Sequence, residues 1–178
     1  MPHFRLSFDP AKISELASRY KFTDDAAALA AGARLRNGQY TRSNLLEIFE
    51  WKTRGRGRSR LQRNSDAEIA DALALATAAK TDRTALAVLM GLDGVQVPVA
   101  SAVLTVIYPE RFTIVDFRAL HALGIKDANI TIDFYLFYLA ECRKLARANH
   151  VSLRTLDRAL WQWSKEASKK TRPSPDIT

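Results

Sequence analysis

Cysteine is almost missing from this chain. Cys142 stands alone among 178 residues, which excludes an internal disulfide and leaves too few thiolates for a cysteine-based zinc site or an iron–sulfur cluster. Its plain reading is a small hydrophobe on a helix. Long apolar runs are lacking too: no stretch approaches the length that crosses a bilayer, and residues 1–8 form no apolar segment behind a basic start. The expected location is the cytoplasm, with no membrane partner. Strand signals are equally scarce, because the β-branched residues of 95–106 carry a proline and a helical period, and 113–115 is very short. No internal repeat of solenoid length occurs.

What is present is the balance of an ordinary folded domain, 47% hydrophobic and 26% charged, in a chain long enough to bury a core. One domain over residues 1–178 is expected, with a monomer as the expected state. The formal net charge of +8, from 27 Lys and Arg against 19 Asp and Glu, draws polyanions to the surface. Charge alone does not choose among DNA, RNA and an anionic membrane.

Helical periodicity runs through most of the chain, so the expected class is all-α, with eight or nine helices. Asp9-Pro10 opens the first, with Ile13, Leu16 and Ala17 on its buried stripe. Thr23, Asp24 and Asp25 open a second that Asn37-Gly38 closes, and a third runs from about Thr41 to Trp51. Ser65-Asp66-Ala67-Glu68 is a capping box starting a helix to about Ala79. Further helices are expected at about 82–90, 98–107, 116–124, 131–148 and 153–167, with a frayed tail over about 169–178. Phe134, Tyr135, Phe137 and Tyr138, like Trp51, Trp161 and Trp163, could offer a stacking surface, but core packing is the better reading for most of them.

Residues 52–64 break the pattern. Arg54, Arg56, Arg58, Arg60 and Arg63 are interleaved with Gly55 and Gly57, a composition that predicts a flexible basic loop suited to phosphate contacts.

The most informative segment is Leu92-Asp93-Gly94-Val95-Gln96-Val97-Pro98, between the two helices of about 82–107 and followed by Val115-Asp116. A glycine there permits a tight turn, and amides at the start of the next helix point outward with the positive end of its dipole. This grips a phosphate without reading a base; a plain helical turn is the other reading of the same residues. The segment resembles the helix-hairpin-helix DNA glycosylases, in which a Leu-Pro-Gly-Val-Gly hairpin precedes a small-residue helix and a Val-Asp step carries the catalytic aspartate. Leu92, Gly94, Val95 and Ala100 match the hairpin and its helix, and Val115-Asp116 the catalytic step. Asp93 and Gln96 depart from the pattern, and Pro98 stands where bifunctional members carry a Schiff-base lysine.

The resemblance implies a compact, two-lobed helical domain acting in base-excision DNA repair. Its partner would be duplex DNA with a flipped base, and it would need no cofactor. It implies that Gly94, Gln96 and Val99 offer amides to a phosphate, with Val95 and Val97 in the same hairpin. The carbonyls of Met90, Leu92 and Val95 could hold a monovalent cation; no other metal site is expected. It further implies that Asp116 is the catalytic carboxylate of a monofunctional hydrolase that cleaves the N-glycosidic bond of a damaged or modified base. Arg118 takes the place of the family's histidine two residues later, where it either meets phosphate or is solvated. An N-cap is the other role open to Asp116, for which Asp is among the best residues. Lys52 is a displaced candidate for an amine nucleophile, and phosphate contact or simple solvation fits it better. The competing reading is a non-catalytic helix-hairpin-helix module that binds DNA or recruits a protein.

Overall fold

The computed structural model describes residues 3–21 and 25–170. Among these there is no strand; a single 3₁₀ turn, Pro10–Lys12, precedes ten α-helices. They are α1 Ile13–Ser18, α2 Asp25–Arg36, α3 Arg42–Thr53, α4 Arg58–Leu61, α5 Asp66–Ala78, α6 Asp82–Met90, α7 Val97–Ile107, α8 Phe117–Ala122, α9 Ile132–Ala148 and α10 Leu153–Lys170. None of the described helices is long and apolar enough to cross a membrane.

Local chemistry explains most boundaries. The Thr41, Thr81 and Thr131 hydroxyls accept the N3 amides of α3, α6 and α9, and Ser65 and Glu68 form the reciprocal capping box of α5. Gly38, at φ +82°, ends α2 with its amide bonded to the Leu35 carbonyl. Thr23 and Asp24 lie outside the described residues, as do 171–178 of the expected tail. Residues 169–170 are helical and extend α10 beyond its expected end.

Helix α7 organises the interior. Ten of its 11 residues are buried, so it has no polar face and must be enclosed on all sides. Helices α2, α3 and α6 pack around it, α9 packs on α6, and α10 lies against α1, α8 and α9. Their buried side chains form one continuous cluster. On α9, Tyr135 and Tyr138 are core residues as expected, and Phe4 packs against Phe134, Phe137 and Tyr138 at 5.5–5.9 Å between ring centroids.

The basic segment corrects the expectation of a flexible loop. Residues 52–53 complete α3, Arg54 and Gly57 turn the chain through left-handed conformations, and residues 58–61 form α4, the helix beyond the expected nine. Leu61 is the anchor, fully buried in the core, while the Arg side chains 54, 56, 58, 60 and 63 remain outside. Asn64 then clamps the hairpin: its amide nitrogen donates to the Asp93 carbonyl (3.0 Å) and its oxygen accepts the Asp93 amide (2.8 Å). One apolar side chain and one amide thus hold a stretch whose composition predicts disorder.

Gly32 tests the enclosure of α7. A Cβ there would stand 2.2 Å from the Val106 carbonyl oxygen and 2.9 Å from the Val106 Cβ. In an open helix Gly→Ala gains up to about 1 kcal/mol, but overpacking against backbone costs about 1–3 kcal/mol or more. Gly32→Ala is therefore expected to destabilise the fold by about 2 kcal/mol net, read as a lower urea midpoint at unchanged slope.

Candidate functional site

The chain between α7 and α8 delivers Asp116 along a buried track. The Val115 amide donates to Ser101 Oγ of α7 (3.2 Å), and the hydroxyls of Tyr135 and Tyr138 donate to the carbonyls of Thr113 (2.9 Å) and Ile114 (2.7 Å). These bonds satisfy backbone groups that burial would otherwise strand. At the end of the track, Asp116 caps α8: its Oδ1 accepts the amides of Arg118 and Ala119, each at 3.0 Å. Oδ2 accepts from Lys52 Nζ at 3.0 Å, and the two side chains are only 13% (Lys52) and 21% (Asp116) exposed. Burial pushes the Asp116 carboxyl up. The Lys52 charge and the two amides outweigh it and hold the group below its ordinary value, so it is an anion at neutral pH.

Lys52 is therefore neither solvated nor free for phosphate, and capping and charge pairing act on Asp116 together. The pair lies in the wall of a cavity of about 70 Å³ with Tyr20, Trp51, Trp161 and Asp157. Trp51, Lys52, Asp116 and Trp161 also border a groove of about 790 Å³, which adds Arg54, Arg56, Pro98, Val99, Phe117 and Arg118. The structure thus gathers Asp116, Arg118, Val99, Arg54 and Arg56 around one opening. Arg58 faces elsewhere, paired with Glu50 at 2.6 Å and lining a separate depression between α3 and α5. Arg60 and Arg63 are exposed beside the hairpin.

Arg118 is not simply solvated. Its guanidinium lies 4.9 Å from the Phe117 ring centroid and 5.1 Å from that of Trp161, with Nη1 buried and without a hydrogen-bond partner among the described residues. Phe117 itself is 70% exposed on the groove.

The hairpin turns at Gly94, φ +83°, with the Val95 amide bonded to the Leu92 carbonyl at 3.1 Å. Val95, Val97 and Val99 bury their side chains, which leaves backbone at the surface. The amides of Gly94, Gln96 and Val97 make no hydrogen bond among the described residues, whereas Val99 N–H donates to the Gln96 carbonyl at 2.9 Å. Val99 is therefore not a free donor, because it closes the first turn of α7, and Val97 takes its place. The open side of Gly94 faces protein: a Cβ would lie 2.9 Å from the Leu61 nitrogen. This glycine is required by the packing of α4 as well as by the turn.

Sequence reading missed the inner wall of the cavity. Arg154 donates to Asp25 Oδ2 (2.6 Å) and to Asp157, while Arg158 (3.2 Å) and the Tyr20 hydroxyl (3.2 Å) also reach Asp25. Burial opposes the Arg154 charge, but Asp157 and Asp25 raise its pKa above the ordinary value. Burial pushes the Asp157 carboxyl up to about 6, against the pull of Arg154. The available signal was Asp157 itself, an acid four residues after Leu153 and three before Leu160 on the buried stripe of α10.

Searches of protein-family models, curated proteins and solved structures find no match to this chain.

Removing one partner of a buried ion pair leaves the other uncompensated, at a cost of about 3 kcal/mol. Lys52→Met is expected to lose about that much stability at pH 7. In the native protein the low Asp116 pKa contributes stability above the unfolded carboxylate range, which is lost as pH falls through the lower folded value. Without Lys52, burial dominates and Asp116 takes up a proton more readily, so the deficit of the variant shrinks toward pH 4. Denaturant melts at pH 7 and pH 4 measure this; an equal deficit at both would remove Lys52 as the counter-ion.

Proposed function

We propose that this protein is a helix-hairpin-helix DNA glycosylase that hydrolyses the N-glycosidic bond of a modified base flipped out of duplex DNA. The observation that carries the reading is Asp116, anionic and pinned by two amides, where an aromatic-walled cavity meets a groove edged by Arg54, Arg56 and the hairpin. Departure of a base leaves positive charge on the deoxyribose, and a fixed carboxylate in a partly dehydrated site stabilises that charge and orients water. The extruded base would sit at the mouth where the cavity meets the groove, and the strand along the groove. Phosphate binding falls to Arg54, Arg56 and the open amides of Gly94, Gln96 and Val97.

Two observations bear on other readings. Pro98 offers no amine, and Lys52 is committed as the ammonium partner of Asp116, which favours hydrolysis without strand cleavage. The complete engagement of Asp116 by cap and ion pair is what a non-catalytic DNA-binding module would also contain.

Asp116→Asn separates them. Asparagine retains most of the capping ability and removes the charge, so base release on a suitable lesion duplex should fall by at least about 100-fold with DNA affinity nearly unchanged. The assay is alkali cleavage of abasic sites after single turnover, with borohydride expected to trap no adduct. Full activity in the variant would refute the mechanism, and no excision by the native protein across a broad lesion panel would leave the binding-module reading. A trapped adduct that Lys52→Met abolishes would assign strand cleavage to Lys52.

Binding itself is expected to weaken with salt in proportion to the phosphates neutralised, about 0.9 in log–log slope per contact. Arg54→Ala with Arg56→Ala should flatten the slope by about 2 units, and Arg58→Ala should leave it unchanged. Equal slopes for all variants would move the DNA away from the groove.

A further inference from the structure

A base leaving as an anion is a poor leaving group, and a proton delivered to it in the transition state typically contributes 10²–10⁴-fold. The cavity beside Asp116 contains a second carboxylate suited to that task. Asp157 is 6% exposed and lines the same cavity as Asp116, Trp51 and Trp161. Its Oδ2 accepts from Arg154 Nη1, while Oδ1 makes no hydrogen bond among the described residues. The two carboxylates stand in opposite surroundings. Asp116 receives two amides and an ammonium and is held as the anion, whereas Asp157 receives one arginine already shared with Asp25.

The groups facing Asp157 come from every neighbouring element. Arg154 on α10 and Lys52 on α3 favour its anion; Asp116 ahead of α8 opposes it. Tyr20 after α1, and Tyr138 and Cys142 on α9, are within electrostatic range and have their own pKa values pushed up chiefly by burial, so they stay neutral. Burial is the largest influence on Asp157 and brings its titration to about pH 6. Carboxyl groups whose surroundings push them apart divide into an anionic stabiliser and a proton donor.

We infer that Asp157 donates the proton to the departing base, and hence that the substrate is a neutral modified base and not a cationic N-alkylated one; this rests on the glycosylase reading above. A cationic base departs as a neutral molecule and gains nothing from an acid. In the step, the Asp157 O–H bond breaks and its proton passes to the base as the C1′–N bond breaks with its electron pair on the base. Water adds to C1′ and gives its proton to Asp116, and solvent returns a proton from Asp116 to Asp157.

The test measures single-turnover base release from pH 5 to 8 on duplexes carrying hypoxanthine, 8-oxoguanine or uracil, with 7-methylguanine as the cationic probe. Expected is excision of a neutral base at a rate that is full below pH 6 and falls about tenfold per unit above it. Asp157→Asn, whose amide oxygen still accepts from Arg154, should lower that rate by at least about 100-fold and flatten the profile, with Asp157→Glu restoring part of the pH dependence. A native profile that is flat, activity confined to 7-methylguanine, or native rates in Asp157→Asn each overturn the inference. The native profile decides the matter should the variant fail to fold. Loss of activity in Asp116→Asn together with native rates in Asp157→Asn would overturn this inference alone, and absence of excision from every probe would overturn it along with the glycosylase reading.

Discussion

A helix with no polar face has to be surrounded, and the enclosure of α7 dictates where everything else in this protein lies. Its flanks accept α2, α3 and α6, with Gly32 letting the α2 backbone come against Val106. Its first turn carries the hairpin, whose valines are buried because they belong to the same apolar surface. Ser101, from within it, holds the strand-like track that ends at Asp116. Hairpin and carboxylate are thus attached to one rigid element, as the proposed function requires for holding a phosphate and a reacting sugar in fixed relation.

Around this apolar centre the site stores charge at an energetic disadvantage. Asp25, Asp116, Asp157, Arg154 and Lys52 are all largely withdrawn from water, and each buried ion costs several kcal/mol in desolvation that pairing only partly offsets. Apolar residues of similar volume would make a core at least as stable. Retaining charge where a cavity meets an open groove fits the proposed catalytic site, since shifted carboxyls gather where a fold tunes them for chemistry. Amides from α8 and an ammonium from α3 fix Asp116 from two directions, which in the proposed reaction would leave little to reorganise as positive charge develops on the sugar.

How far the sequence disclosed this depends on whether a feature is local. Helix starts were legible because caps lie within three residues of what they bind, as at Ser65 and Glu68 or at Asp116 and Ala119. The hairpin was legible as a short pattern. What stayed hidden requires partners far apart in the chain: Lys52 and Asp116 are 64 residues apart, and Arg154 and Asp25 129. No periodicity announces such a pair. The basic segment was misjudged for a related reason, since its glycines and arginines describe local preference while its order comes from Leu61 in the core and from Asn64 on the hairpin. Val99 was misjudged through neglect of the first-turn bond to Gln96.

The same distinction governs the net charge. A formal +8 suggests a uniformly attractive surface, yet many of the arginines are already neutralised by neighbours, among them Arg19, Arg34, Arg36, Arg42, Arg83, Arg111, Arg143 and Arg154. Such pairs contribute little to the field at a distance. Arg54, Arg56, Arg60 and Arg63 enter no ion pair among the described residues, and all four lie within residues 54–63, on the segment that α4 and Asn64 fasten to the hairpin. Part of the unpaired positive charge therefore lies where the open amides of Gly94, Gln96 and Val97 emerge and where the groove leads to Asp116. Folding pairs many of the other arginines and leaves these four, within residues 54–63, as one cluster of unpaired charge beside the groove.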